Sequence, residues 1–153
     1  MNYQLIPAED QPDLYRQLFA LYCRDLQKDD PTIAEYDPAV LADENLCADT
    51  DHPYLIFVED QPAGLAVFMD ESAPVGEEDC HTYLGEIFVL PAFRNRGIAG
   101  SIAETFFDAQ DYDSGLCYIV GSPAEAFWKK LFNAHAYHEI KSIRTDLEKT
   151  VEI

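Results

Sequence analysis

The residues from Tyr83 to Phe107, YLGEIFVLPAFRNRGIAGSIAETFF, constrain this chain more than any other stretch. An apolar β-like run, Thr82 to Leu90, stops at Pro91. A glycine-containing turn with two arginines follows, Arg94-Asn95-Arg96-Gly97-Ile98-Ala99-Gly100, and an amphipathic helix then begins. A strand feeding a small-residue turn into a helix N-terminus suits an anion. Unpaired N–H groups point outward there, and the helix carries roughly +0.5 of a charge at that end. Glycines let a ligand come close to the backbone. The stretch lacks G-x-x-x-x-G-K-[ST] and G-x-G-x-x-G, which excludes a P-loop and a dinucleotide fingerprint.

The remainder of the chain supplies a layered fold around this stretch. Tyr3 to Ile6 reads as a short strand with Tyr3 and Leu5 on one face. Leu14, Leu18, Leu21, Tyr22 and Leu26 recur at helical spacing from Pro12 to Leu26. Thr32 to Leu46 reads as a shorter second helix or a helical loop. Tyr54–Val58 and Ala63–Met69 form a hairpin turning at Glu59-Asp60-Gln61-Pro62. Asp70 to Asp79 is a solvated acidic loop. After the glycine turn, Ile98, Ala99, Ile102, Ala103, Phe106 and Phe107 mark one apolar helix face. Asp111 to Gly115 reads as a loop and Leu116 to Val120 as a strand. Ser122-Pro123-Ala124-Glu125 is a capping box with proline at the first helical position. That helix carries Phe127, Trp128, Leu131 and Phe132, and Tyr137 to Val151 is strand-like. The order β, α, α, β, β, β, α, β, α, β, β predicts an α/β (α+β layered) domain: a mixed, mostly antiparallel sheet with helices on both faces.

At 153 residues, with 48% hydrophobic residues, the chain is expected to form one packed domain over 1–153. No apolar run approaches the ~20 residues of a membrane span, and MNYQLIPAED does not read as a signal peptide, so a cytoplasmic location is expected. Cys23, Cys47, Cys80 and Cys117 are scattered, which argues against a disulfide framework or a zinc site. His135-x-x-His138 lacks a third ligand, and no metal is expected. The net charge is −19, which disfavours nucleic acid and anionic membranes as partners. No Lys or Arg occurs between Lys28 and Arg94, and cations return at Arg94, Arg96 and Lys129-Lys130. Screening limits charge effects to ~8 Å in physiological salt, so local arginines can hold a polyanion on an acidic protein. Asp29-Asp30 and Glu77-Glu78-Asp79 read as solvated charge runs.

Arg94, Gly97 and Ala99 match R-x-x-G-x-A. With the preceding Glu86-Ile87-Phe88-Val89-Leu90-Pro91, this resembles the acyl-coenzyme A site of the GNAT superfamily of N-acetyltransferases. The element order is similar to that fold over nearly the whole chain. Ala124 to Asn133 partly follows the family's A-x-x-F-Y-x-K-x-G-F helix. The resemblance implies acetyl-CoA as co-substrate and a small-molecule or peptide amine as acceptor, and leaves a homodimer open. It places the diphosphate on the backbone of Arg96, Gly97, Ile98, Ala99, Gly100 and Ser101, with Arg94, Asn95 and Arg96 beside it. Phe88, Val89 and Leu90 would offer backbone groups to pantetheine, and the Val89 N–H would polarise the thioester carbonyl. Phe127 and Trp128 would line the cofactor slot, with core packing the alternative for Trp128.

Glu86, a carboxylate within an apolar strand, is the candidate general base. Many relatives place a tyrosine, the acid that protonates the departing sulfur, where this chain has Trp128. Indole is a donor only and cannot act as an acid. Tyr137 or Tyr118 would then substitute. Tyr22 and Tyr36 are acceptor-side candidates that packing alone would also explain. The resemblance implies an N-acetyltransferase acting on a primary amine. Its alternative is a GNAT-like acyl-CoA-binding sensor or interaction module without turnover.

Overall fold

The computed structural model describes residues 2–70, 82–109, 114–119, 122–134, 141–145 and 148–152. Seven strands form one sheet: β1 (Tyr3–Pro7), β2 (Asp51–Val58), β3 (Gln61–Asp70), β4 (Thr82–Val89), β5 (Ser114–Ile119), β6 (Lys141–Thr145) and β7 (Glu148–Glu152). Their order across the sheet is β1-β2-β3-β4-β5-β7-β6. Among these pairs only β4 and β5 run parallel. The helices are α1 (Pro12–Leu26), α2 (Pro38–Cys47), α3 (Ile98–Asp108) and α4 (Pro123–Ala134). The mixed, mostly antiparallel layered fold expected above is the one observed.

Strand alternation sorts the core onto two faces. Leu55, Leu65, Val67 and Phe88 look toward α1 and α2 and pack with Tyr15, Leu18, Phe19, Tyr22, Cys23 and Ala42. Ile56, Val58 and Ala63 pack on Ile98 and Ile102 of α3, while Ala66, Leu84 and Leu116 pack on Ala103, Phe107 and Trp128. The buried stripe of α1 is thus Tyr15-Leu18-Phe19-Tyr22-Cys23. Leu21, expected on that face, is 40% exposed.

Several boundaries differ from expectation. The segment from 32 to 46 is not one helix. Asp30-Pro31 and Asp37-Pro38 are two successive start signals, and each aspartate caps its own helix by accepting an N–H, from Thr32 and Ala39 respectively. The first gives only a 3-10 turn, Pro31–Glu35, and the second gives α2. Asp30 is therefore a buried cap and not a solvated charge. The β2–β3 turn is confined to Glu59 and Asp60, both left-handed at φ 50 and 64, so Gln61 and Pro62 already belong to β3. Ser114 and Gly115, expected in a loop, open β5. The acidic run Glu77-Glu78-Asp79 lies outside the described residues.

Candidate active site

β4 carries two unlike edges. Against β3 it is paired along its whole length, from Asp70↔Thr82 to Gly64↔Val89. Leu90 continues the contact by donating its N–H to the Ala63 carbonyl at 2.7 Å. Gly64 permits the approach, since a Cβ there would lie 1.9 Å from the Phe88 carbonyl oxygen. Against β5, pairing covers Thr82↔Ser114, Tyr83↔Gly115 and Leu84↔Leu116, and goes no further among the described residues. Successive residues of a strand direct their backbone groups to opposite edges. Phe88 and Leu90 face β3, so the N–H groups of Ile87 and Val89 face the edge that β5 leaves. Of the three residues expected to offer backbone to a ligand, only Val89 is so placed. Ile87 shares that orientation, which depends on a register that sequence does not give.

Beyond β4 the chain makes one 3-10 turn, Pro91–Phe93, and then a left-handed pair of positions, Asn95 at φ 62 and Gly97 at φ 78. Gly97 is the N-cap of α3. Its glycine is demanded by this backbone angle, because a Cβ there would meet nothing within 4 Å. Helix α3 starts at Ile98, so Ile98, Ala99 and Gly100 form its first turn and are not part of the preceding bend. Ser101 is the residue whose N–H closes that turn, onto the Gly97 carbonyl at 2.9 Å. The N–H groups of Ile98, Ala99 and Gly100 precede it and have no acceptor within the helix. Ser101 can therefore offer a ligand its hydroxyl, which sits 3.4 Å from the Tyr3 hydroxyl, but not its backbone.

The two arginines of the turn part company. The Arg96 guanidinium lies over the Phe93 ring, 5.3 Å from its centre, on the exposed side of the turn. Arg94 folds back instead. Its Nε donates to the Val89 carbonyl at 2.8 Å, its guanidinium lies 5.7 Å from the Phe88 ring centre, and one terminal nitrogen is 3.5 Å from Asp25 of α1. Arg94 thus fastens the end of α1 to the end of β4.

Glu86 reaches the α1 side through an irregularity in β4. Val67 pairs with Glu86 and Phe68 with Leu84, which leaves Gly85 as an extra residue, a β-bulge. Leu84 packs toward α3 and α4, whereas Glu86 shares the face of Val67 and Phe88. There the Tyr22 hydroxyl donates to Glu86 Oε2. Burial, and then the Glu86 charge, push the Cys23 thiol up to about 11. The same two causes, with Asp51 and Cys23 adding to them, raise the Tyr15 phenol well above its ordinary range. Tyr15 also donates to Asn45 Oδ1 at 3.0 Å, and Asn45 donates on to Asp51 at 3.1 Å. Tyr22 was expected only as an acceptor-side or packing residue. Its partner is 64 positions away in sequence, and no local signal announces the pair.

On α4, Trp128 is buried against Ala66, Leu84, Ala103, Phe107 and Leu116, as part of the core. Phe127 is 44% exposed, and its ring edge lies 3.7 Å from where a Cβ on Gly100 would be. Phe127 therefore borders the first turn of α3, and Trp128 lies beneath it. Tyr36 is 56% exposed. Tyr137, His135 and His138 lie outside the described residues, as does the side chain of Tyr118.

A layered α/β class is defined by this mixed sheet, whose parallel pair separates beside an open helix N-terminus. The sequence matches the acetyltransferase (GNAT) family over residues 15–131, more than half of the chain. The chain belongs to that family, whose members transfer an acetyl group from acetyl-CoA. Solved structures share the fold at low identity. An acetyltransferase from Thermus thermophilus is 18% identical at a TM-score of 0.65, covering 99% of this chain and 96% of that one. An N-acetyltransferase from Staphylococcus aureus Mu50 is 15% identical at 0.66, covering 100% of both. AAC(6')-Iy, in complex with the bisubstrate analog CoA-S-monomethyl-acetylneamine, is 19% identical at 0.61, covering 95% of both. No curated protein matches the sequence. Among the described residues no helix is long and apolar enough to cross a membrane.

Proposed function

We propose that this chain is an N-acetyltransferase, moving the acetyl group of acetyl-CoA to a primary amine by direct attack in a ternary complex. One observation carries the reading. The Val89 N–H faces an edge that β5 leaves, at the end of a strand that leads directly into the donor-rich N-terminus of α3. That arrangement fits a thioester on a diphosphate-bearing arm. The N–H groups of Gly97, Ile98, Ala99 and Gly100 would hold the diphosphate, with Arg96, Asn95 and the Ser101 hydroxyl beside it. The Val89 N–H would hold the carbonyl oxygen, and that of Ile87 the arm behind it. Phe127 would border the slot.

When bound, acetyl-CoA supplies the activated acetyl group. The chain's own contribution is to orient both reactants and to manage one proton. Glu86 lies on the α1 side of the strand that ends in Val89, and it takes up the proton the amine loses as the N–C bond forms and the C–S bond breaks. A thiolate with a parent pKa near about 8.5 leaves with little help, so a core tryptophan where relatives have tyrosine is compatible with turnover. The acceptor is a small or cationic amine, such as a polyamine or an aminoglycoside-like amine, which a net charge of −19 would draw in.

Thermal unfolding with coenzyme A, acetyl-CoA and free phosphate tests the donor site, followed by thiol release across an amine panel. A ligand at a hundredfold excess over its Kd should stabilise the protein by about 2.7 kcal/mol. No stabilisation by either coenzyme would end the reading. Glu86→Gln should lower kcat/KM by about 10²–10⁴ and remove the acid limb of the pH profile. An unchanged profile would retire Glu86 as the base.

A further inference from the structure

We propose that Tyr22 is a positioning residue for acyl transfer: its phenol holds the Glu86 carboxylate against α1 and keeps it in the ionised, proton-accepting form. The inference rests on the reading of Glu86 as the base. Tyr22 is 9% exposed, and its hydroxyl donates to Glu86 Oε2. Its ring is fixed on two sides, edge-on to Phe19 at 5.6 Å and tilted against Phe88 at 5.4 Å. Phe88 belongs to β4, two residues beyond Glu86 on the same strand face. The strand that carries the carboxylate therefore also carries the ring that sets where the phenol can lie. The register between donor and acceptor is fixed by packing and does not depend on loop conformation.

The surroundings explain why such a donor is needed. Apolar walls favour the neutral form of a carboxyl, and a donated hydrogen bond favours the ionised form. Glu86 is half-buried on the sheet face that carries Val67 and Phe88, under the stretch of α1 that carries Tyr22. The Glu86 charge acts on Tyr15 and Cys23 of α1, Tyr22 is hydrogen-bonded to it, and Asp51 of β2 also acts on Tyr15. Tyr15 is engaged with Asn45, which is linked to Asp51. The phenol of Tyr22 meets the carboxylate directly.

The test titrates Glu86 itself, so it does not wait on the natural acceptor. Protein labelled with ¹³C at the glutamate δ position is followed by NMR, the Glu86 signal being identified by its loss in Glu86→Gln. A hydrogen bond to an ionised partner corresponds to roughly one to two pH units of carboxyl ionisation. Tyr22→Phe should therefore move the Glu86 midpoint upward by about that amount. Placing 3-fluorotyrosine at position 22, a more acidic phenol that keeps the ring and the fold, should move it downward. Midpoints unmoved in both proteins overturn the proposal, whatever Tyr22→Phe does to thermal stability. In turnover of acetyl-CoA with spermidine, the acid limb of kcat/KM should shift with the NMR midpoint. An acid limb kept in Glu86→Gln would remove the base itself. An acid limb lost in Glu86→Gln, with Tyr22→Phe leaving both limb and midpoint in place, would remove only Tyr22.

Discussion

Along its β3 edge, β4 is hydrogen-bonded from Thr82 to Val89, whereas along its β5 edge the pairing covers only Thr82 to Leu84 among the described residues. The two edges belong to one strand, with the same residues and the same backbone. The closed edge is reinforced by a glycine, Gly64, that lets the Phe88 carbonyl come close. On the open edge the N–H groups of Ile87 and Val89 face away from β3, where the proposed acetyl-CoA site would lie. A single strand can therefore be bonded along the whole of one edge and leave backbone donors on the other. The two demands are separated by the alternation of N–H directions, not by position along the chain.

Substitutions can break either side of this comparison. The largest effect is expected on the closed edge. Gly64→Ala puts a methyl 1.9 Å from a backbone oxygen that has no side-chain freedom to move away. Urea unfolding should report a loss of about 3 kcal/mol or more. A loss below about 1 kcal/mol would mean that the close contact between β3 and β4 is not held in solution. Next comes the turn beside the open edge. Gly97→Ala meets no neighbour but must adopt φ 78, so about 1–2 kcal/mol is expected, with Gly97→Asn costing less. Equal losses for alanine and asparagine would show that the left-handed angle is not the cause.

The smallest effect sharpens the picture beneath Glu86. Cys23 is raised to about 11 and Tyr15 is raised further. In this range the folded chain holds protons that the unfolded chain has lost, so the unfolded state binds fewer. Stability should therefore fall as pH rises from about 9 toward 11. Unfolding measured at intervals of pH should show this decline, with a shallower slope in Cys23→Ala. A slope unchanged by that substitution would mean that folding does not raise the Cys23 thiol. Alkylation should modify exposed Cys47 before buried Cys23.

The strand, the glycine turn and the helix after it were legible because each is written locally: an apolar run, a proline stop, small residues, then a 3.6-residue period. The same locality made Glu86 visible as a carboxylate out of place in an apolar strand. What sequence could not carry is pairing across distance. Tyr22 meets Glu86 and Arg94 meets Asp25 only because α1 lies along β4. Arg94 looked like a phosphate ligand from its neighbours in sequence, yet it caps the Val89 carbonyl. That Phe127 borders the first turn of α3 while Trp128 is core likewise needed the packing of α4 on α3, where Gly100 admits Phe127.

Gly85 makes β4 one residue longer than the length of β3 it covers. Side chains along a strand obey an odd–even rule, and this single insertion resets the count between Leu84 and Glu86. Deleting Gly85 would restore the count and oblige one half of the strand to turn over. Either Leu84 would leave its place beside Trp128, or Glu86 would be driven under α3, away from Tyr22. Families built on this strand should tolerate many exchanges at position 85 more readily than the loss of the position itself.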